Sequence, residues 1–123
     1  MQHIDRYYVA LALLLLVVGE SLGLFMGIAN DMKFRTVHVA MVLPGFVVLT
    51  LFGMMFRLWP AMKAGPLAPA QFWLGALSTI GIVIGSVQYV TSGGIAIVAP
   101  ASLIAIVASL LLLVLFWMRS SEA

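Results

Sequence analysis

The sequence contains no cysteine and very little charge: four acidic residues, six basic ones and two histidines in 123 residues. Without cysteine there is no disulfide, no zinc–thiolate site and no cysteine-linked haem. Charged residues make up only 8% of the chain against 64% hydrophobic, too few to cover a soluble domain of this length, so its solvent is lipid. No phosphate-binding glycine loop, HExxH motif, Ser-His-Asp set or metal-spaced acid cluster occurs, which leaves hydrolase and nucleotide-driven chemistry without support. The formal net charge of +2 is small and lies in the links, where it reports topology and not nucleic-acid binding.

What is present is apolar sequence in long runs. Crossing the hydrocarbon core takes roughly 20 helical residues, and four stretches meet that length: about Tyr7–Ile28, Val37–Trp59, Ala70–Tyr89 and Ile95–Met118. The first is too long for a signal-peptide core and lacks a small-residue cleavage site, so it reads as a retained span. The links are short: Asn30–Arg35 with Asp31, Lys33 and Arg35; Pro60–Pro69 with Lys63; and the uncharged Thr91-Ser92-Gly93-Gly94. Short links make consecutive helices antiparallel neighbours. The expected fold is all-α, a single-domain integral membrane antiparallel four-helix bundle assembled as a homo-oligomer.

Counting Lys and Arg by side gives Arg6, Arg57, Lys63 and Arg119 on one face and Lys33 and Arg35 on the other. By the positive-inside rule both termini are expected in the cytoplasm, in a bacterial inner membrane. Trp59, Trp73 and Trp117 then share the cytoplasmic interface. Small residues recur at helical spacing: Gly19, Gly23 and Gly27 in the first span, Ser78, Gly81, Gly85 and Tyr89 in the third, Ser102, Ala105 and Ser109 in the fourth. Such rows let helices approach closely, or leave room for a flat ligand.

An ionisable residue at bilayer depth costs at least about 2.5 kcal/mol and points to function by default. Glu20 lies past the middle of the first span, His38 one turn into the second, and Gln88 and Tyr89 at the end of the third. With antiparallel helices all four occupy the outer half of the membrane, while His3 lies on the opposite side, roughly 30 Å away. An imidazole at this depth is a good ligand for haem iron. Gly45, two turns below His38, leaves space for a porphyrin edge, and Arg35 and Lys33 are placed to pair with propionates. The alternative is a His hydrogen-bonded to a neighbouring helix, with the two cations as flanking anchors. Glu20 reads equally as general acid or base, as proton relay, or as a protonated acid bonded to a neighbour. Tyr89 reads as a substrate-orienting hydroxyl or as an interfacial aromatic. With one usable histidine per chain, a haem would keep an open sixth position, or fill it with Met, Tyr, Glu or water.

Two resemblances bear on these residues. The run Thr36-Val37-His38-Val39-Ala40-Met41-Val42-Leu43-Pro44-Gly45-Phe46, continuing through Leu51-Phe52-Gly53 to Arg57-Leu58-Trp59-Pro60, resembles a helix of haem-copper oxidase catalytic subunits of the cbb3 type. It covers about a fifth of the chain. The four-span arrangement, with a His early in the second span, a Gly seven residues later and a Tyr ending the third, is similar to the styrene oxide isomerases. The resemblance implies a homotrimer holding haem b, with His38 as metal ligand, Gly45 beside the ring and Tyr89 at the distal side. It further implies Lewis-acid opening of a small apolar epoxide; in such a site Gln88 and Tyr89 would orient the oxygen, and Glu20 would act as proton partner or hydrogen-bond a propionate. This chain departs from the family at Pro44, where those enzymes carry Asn, at Glu20, where they are apolar, and in its smaller first outer loop. A non-catalytic haem protein for gas sensing or electron or haem transfer, and a proton-coupled multidrug exporter using Glu20, are the other functions the residues allow.

Overall fold

The computed structural model of the protein describes residues 1–121. Among these the chain is entirely helical apart from its links, with four helices long and apolar enough to cross a membrane: α1 (Ile4–Ala29), α2 (Arg35–Leu58), α3 (Leu67–Ser92) and α4 (Val98–Arg119). Each overlaps one expected span. Arg35, expected in the first link, already belongs to α2, and α3 runs on through Ser92.

The helix ends follow local chemistry. Asn30 ends α1 in the left-handed conformation at φ 50°, and the Asp31 amide donates back to the Met26 carbonyl at 3.1 Å, which satisfies carbonyls left bare at a helix C-terminus. Gly93 does the same for α3 at φ 74°, its amide donating to Tyr89 at 2.8 Å. A 3-10 turn, Pro60–Lys63, follows α2, opened by a proline whose missing N–H costs nothing there.

The sequence did not foretell the interior of α2. It is α-helical over Arg35–Ala40, opens into a π-helix over Met41–Val48, and returns to α-helix over Leu49–Leu58. Pro44 lies inside the π segment. In an α-helix its ring would collide with the carbonyl four residues back, besides offering no N–H; the wider π turn relieves the collision. Gly45 inside this turn packs against Leu15 of α1, where a methyl group would lie 3.0 Å from Cδ1.

Packing differs between the two ends of the molecule. Residues early in α1 meet residues late in α2 and early in α3, and here the large side chains gather: Ile4, Tyr8, Phe56, Met62 and Phe72 are buried together with Leu115 of α4. Tyr8 sits at the centre, its ring 4.9 Å from Phe72 and 5.7 Å from Phe52. Its hydroxyl donates to Gln71 Oε1 at 2.7 Å, and Gln71 Nε2 donates to the Ala108 carbonyl at 3.3 Å, so one buried polar chain ties three helices. Polar groups with no water at hand need such partners. At the other end the buried residues are mostly small: Gly19, Ala40, Gly85, Ser86 and Ala101. The Gly81–Gly85 row packs α3 on α4, facing Ala101 and the Val98 backbone.

Candidate functional site

His38 lies at the small-residue end, half-buried between α1 and α2. Two glycines of α1, spaced four apart, make its seat. Gly19 offers its carbonyl to His38 Nδ1 at 2.7 Å. Gly23 lies under the ring, where a methyl group would come within 2.8 Å of Cε1. A backbone carbonyl only accepts, so Nδ1 carries the proton, and in the neutral imidazole Nε2 keeps its lone pair. Nε2 makes no hydrogen bond to any described residue. A proton fixed on Nδ1 by a carbonyl, with Nε2 free, is how metal-ligating histidines are commonly oriented.

The other expected site residues divide into outward-facing and engaged groups. Glu20, next to the carbonyl that holds His38, is exposed on α1 and makes no hydrogen bond or ion pair with a described residue. Tyr89 is 52% exposed. Gln88 has a structural partner: its Oε1 accepts the Ile97 amide at 3.2 Å and its amide packs on Gly94, closing the tight link between α3 and α4. Arg35 is exposed at the start of α2, one turn before His38. Lys33 places its ammonium 5.6 Å from the Phe34 ring centre, and its backbone amide donates to Asp31 Oδ1 at 3.0 Å. Gly45 serves the α1–α2 contact through Leu15. His3, at the opposite end of α1, caps that helix as an exposed residue.

No protein-family model, characterised protein or solved structure matches the chain. Among the described residues no three His, Asp or Glu side chains come together as a metal-ion site. A haem needs no such cluster: one imidazole with a free, oriented Nε2 supplies an axial ligand, and the donor set at His38 fits that role. Arg35 and Lys33 lie at the same end of the helices as His38.

Sequence reasoning missed the charged site at the other end. Asp5 is buried, and its carboxylate accepts from Lys63 Nζ at 2.8 Å and from Arg57 at 3.2 Å. Arg57 and Lys63 had counted only as markers of membrane side. The signal was present in the sequence: an acid in the first turn of a span can remain there only with a cation nearby.

Proposed function

We propose that the protein is a haem b-binding integral membrane protein in which His38 Nε2 is the axial ligand. Its four helices form an antiparallel bundle, assembled as a homo-oligomer with a trimer favoured, in the bacterial inner membrane with both termini cytoplasmic. The observation that carries this reading is the Nδ1–Gly19 carbonyl contact of 2.7 Å, which leaves Nε2 as a directed donor over a glycine floor. The resemblance to styrene oxide isomerases supports it independently through the His38–Gly45 spacing and Tyr89.

When bound, the haem would supply a ferric centre whose open position acts as a Lewis acid on a small apolar epoxide. The chain's own groups have separable tasks in that reading. Gly19 orients the ligand, Arg35 and Lys33 hold the propionates, and Tyr89 with the Gln88 amide nitrogen orients the substrate oxygen. Glu20 is placed to exchange a proton. Because Glu20 and Tyr89 point out of the single chain, ligand and neighbouring copies together complete their surroundings.

Absorption spectra of the gently purified protein, oxidised and reduced, test the proposal. A stoichiometric Soret band that is lost in His38→Ala is expected. Unchanged haem content and ligation in that variant would refute it. A second reading, a proton-coupled exporter, draws on one observation: Glu20 is an exposed carboxylate within a membrane span and has no partner among the described residues. Cofactor-free protein with transport abolished by Glu20→Gln would decide for it. Haem-loaded protein with no epoxide turnover would instead favour a sensing or transfer role.

A further inference from the structure

A groove of about 420 Å³ runs along the α1–α2 junction at the end of the molecule that carries the N-terminus. Its floor is apolar, formed by Val9, Ala10, Leu13 and Met54, with Gly53 packing α2 closely onto α1 beside it. From Asp5 to Leu13 it follows nine residues of α1, eight steps or roughly 12 Å at 1.5 Å per step. Its mouth carries Arg6, Arg57 and Asp5. The Asp5 carboxylate is already held by Lys63 and Arg57. Arg57 keeps 75% of its side chain exposed, and Arg6 is exposed with no bond to a described residue. Three cations thus face one satisfied anion, a local excess of two positive charges where the span meets the interface.

We propose that this groove is a binding site for an anionic phospholipid: one acyl chain lies along Val9, Leu13 and Met54, and the phosphate is bound by the Arg6 and Arg57 guanidinium groups. Charge complementarity selects the occupant. A second copy of this chain would bring its own cations to the same end, and an apolar ligand would leave the free guanidinium donors unused. Arginine forks match phosphate oxygens in pairs, and basic pockets between membrane helices are recognised sites for anionic headgroups. The site is independent of His38 and its chemistry, which lie at the other end of the helices.

The full-length protein is reconstituted in nanodiscs of equimolar phosphatidylcholine and phosphatidylglycerol, extracted into mild detergent, and its retained lipid counted by mass spectrometry. Preferential retention of phosphatidylglycerol is expected. Arg6→Gln should weaken that preference about fivefold, as for one basic contact to an anionic surface. Arg57→Gln should do at least as much. Ala10→Phe, which fills the groove from an exposed position, should lower retention of both lipids. Should Arg57→Gln fail to fold because Asp5 loses a partner, Arg6→Gln and Ala10→Phe still decide. Equal retention of the two lipids, a preference untouched by Arg6→Gln and Ala10→Phe, displacement by millimolar inorganic phosphate alone, or cross-linking between copies through Ala10→Cys with no lipid retained would each overturn the proposal.

Discussion

The imidazole of His38 closes onto Gly23 of α1 so tightly that a single added methyl would lie 2.8 Å from Cε1 and 3.1 Å from Nδ1. The ring cannot simply swing away, because Nδ1 is bonded to the Gly19 carbonyl one turn earlier in the same helix. Gly23→Ala is therefore expected to break that bond or to push the top of α2 off α1. If Nε2 ligates iron, the variant should lose about 10–100-fold in haem affinity, the usual effect of disturbing a ligand's orienting partner. Haem titration of wild type and variant measures this. Equal affinities would show that the glycine floor does not set the ligand's position.

Two glycines on one stripe of α3 should respond unequally to the same change. At Gly85 an added methyl would meet the Val98 backbone, 2.6 Å from its nitrogen and 2.7 Å from Cα. At Gly81 it would meet the Ala101 Cβ at 2.8 Å, with the Ala101 backbone still 3.9 Å away. A backbone cannot rotate aside, so Gly85→Ala must separate α3 from α4. A loss of about 1–3 kcal/mol, the usual range for overpacking, is expected for Gly85→Ala and a smaller one for Gly81→Ala. Thermal unfolding in detergent would show the order, and the reverse order would contradict this account of the α3–α4 contact.

At the opposite end, Tyr8 and Gln71 share a bond that no surface water can replace. Tyr8→Phe leaves the ring stacked among Phe52, Phe56 and Phe72 but strips Gln71 Oε1 of its donor. The expected cost is about 1 kcal/mol, within the range for interhelical hydrogen bonds in membranes. In a double-mutant cycle, adding Gln71→Leu to Tyr8→Phe should cost less than the sum of the single changes. Strict additivity would mean that the two side chains are not coupled.

How much of this was legible beforehand depends on the range over which each feature acts. The four spans were, because twenty apolar residues in a row declare themselves without reference to anything else. The helix ends at Asn30 and Gly93 were nearly so, since a left-handed residue is a local event. His38 stood out because an ionisable group inside lipid is rare. Its partners did not: the Gly19 carbonyl is a backbone atom, and nothing in a side-chain sequence reveals which carbonyl will face an imidazole. Gly45 was read as space, whereas the packed helices bring Leu15 to it. Tyr8 and Gln71 are 63 residues apart and meet only through the crossing of α1 and α3. The π-helix gave one local hint, Pro44, which a kinked α-helix would have satisfied equally well.

One buried side-chain polar atom has no partner among the described residues, Thr50 Oγ1. Several other hydroxyls in these spans donate to the carbonyl three or four residues back, as Ser21 does to Val17 at 2.7 Å and Thr79 to Gly75 at 2.9 Å. Thr50 Oγ1, two residues past the end of the π segment, makes no such bond. Burying an unbonded hydroxyl costs about 1–3 kcal/mol on protein mutational scales. Thr50→Val keeps the shape and removes the stranded group, so it is expected to stabilise the protein by about 1 kcal/mol, read as a raised unfolding midpoint in detergent. Thr50→Ser, which keeps the hydroxyl and loses the methyl, should give no such gain. If Thr50→Val instead destabilises the protein, the hydroxyl must have a partner supplied by the assembled protein or its ligand, and the orphaned state of the single chain would not be that of the membrane-embedded one.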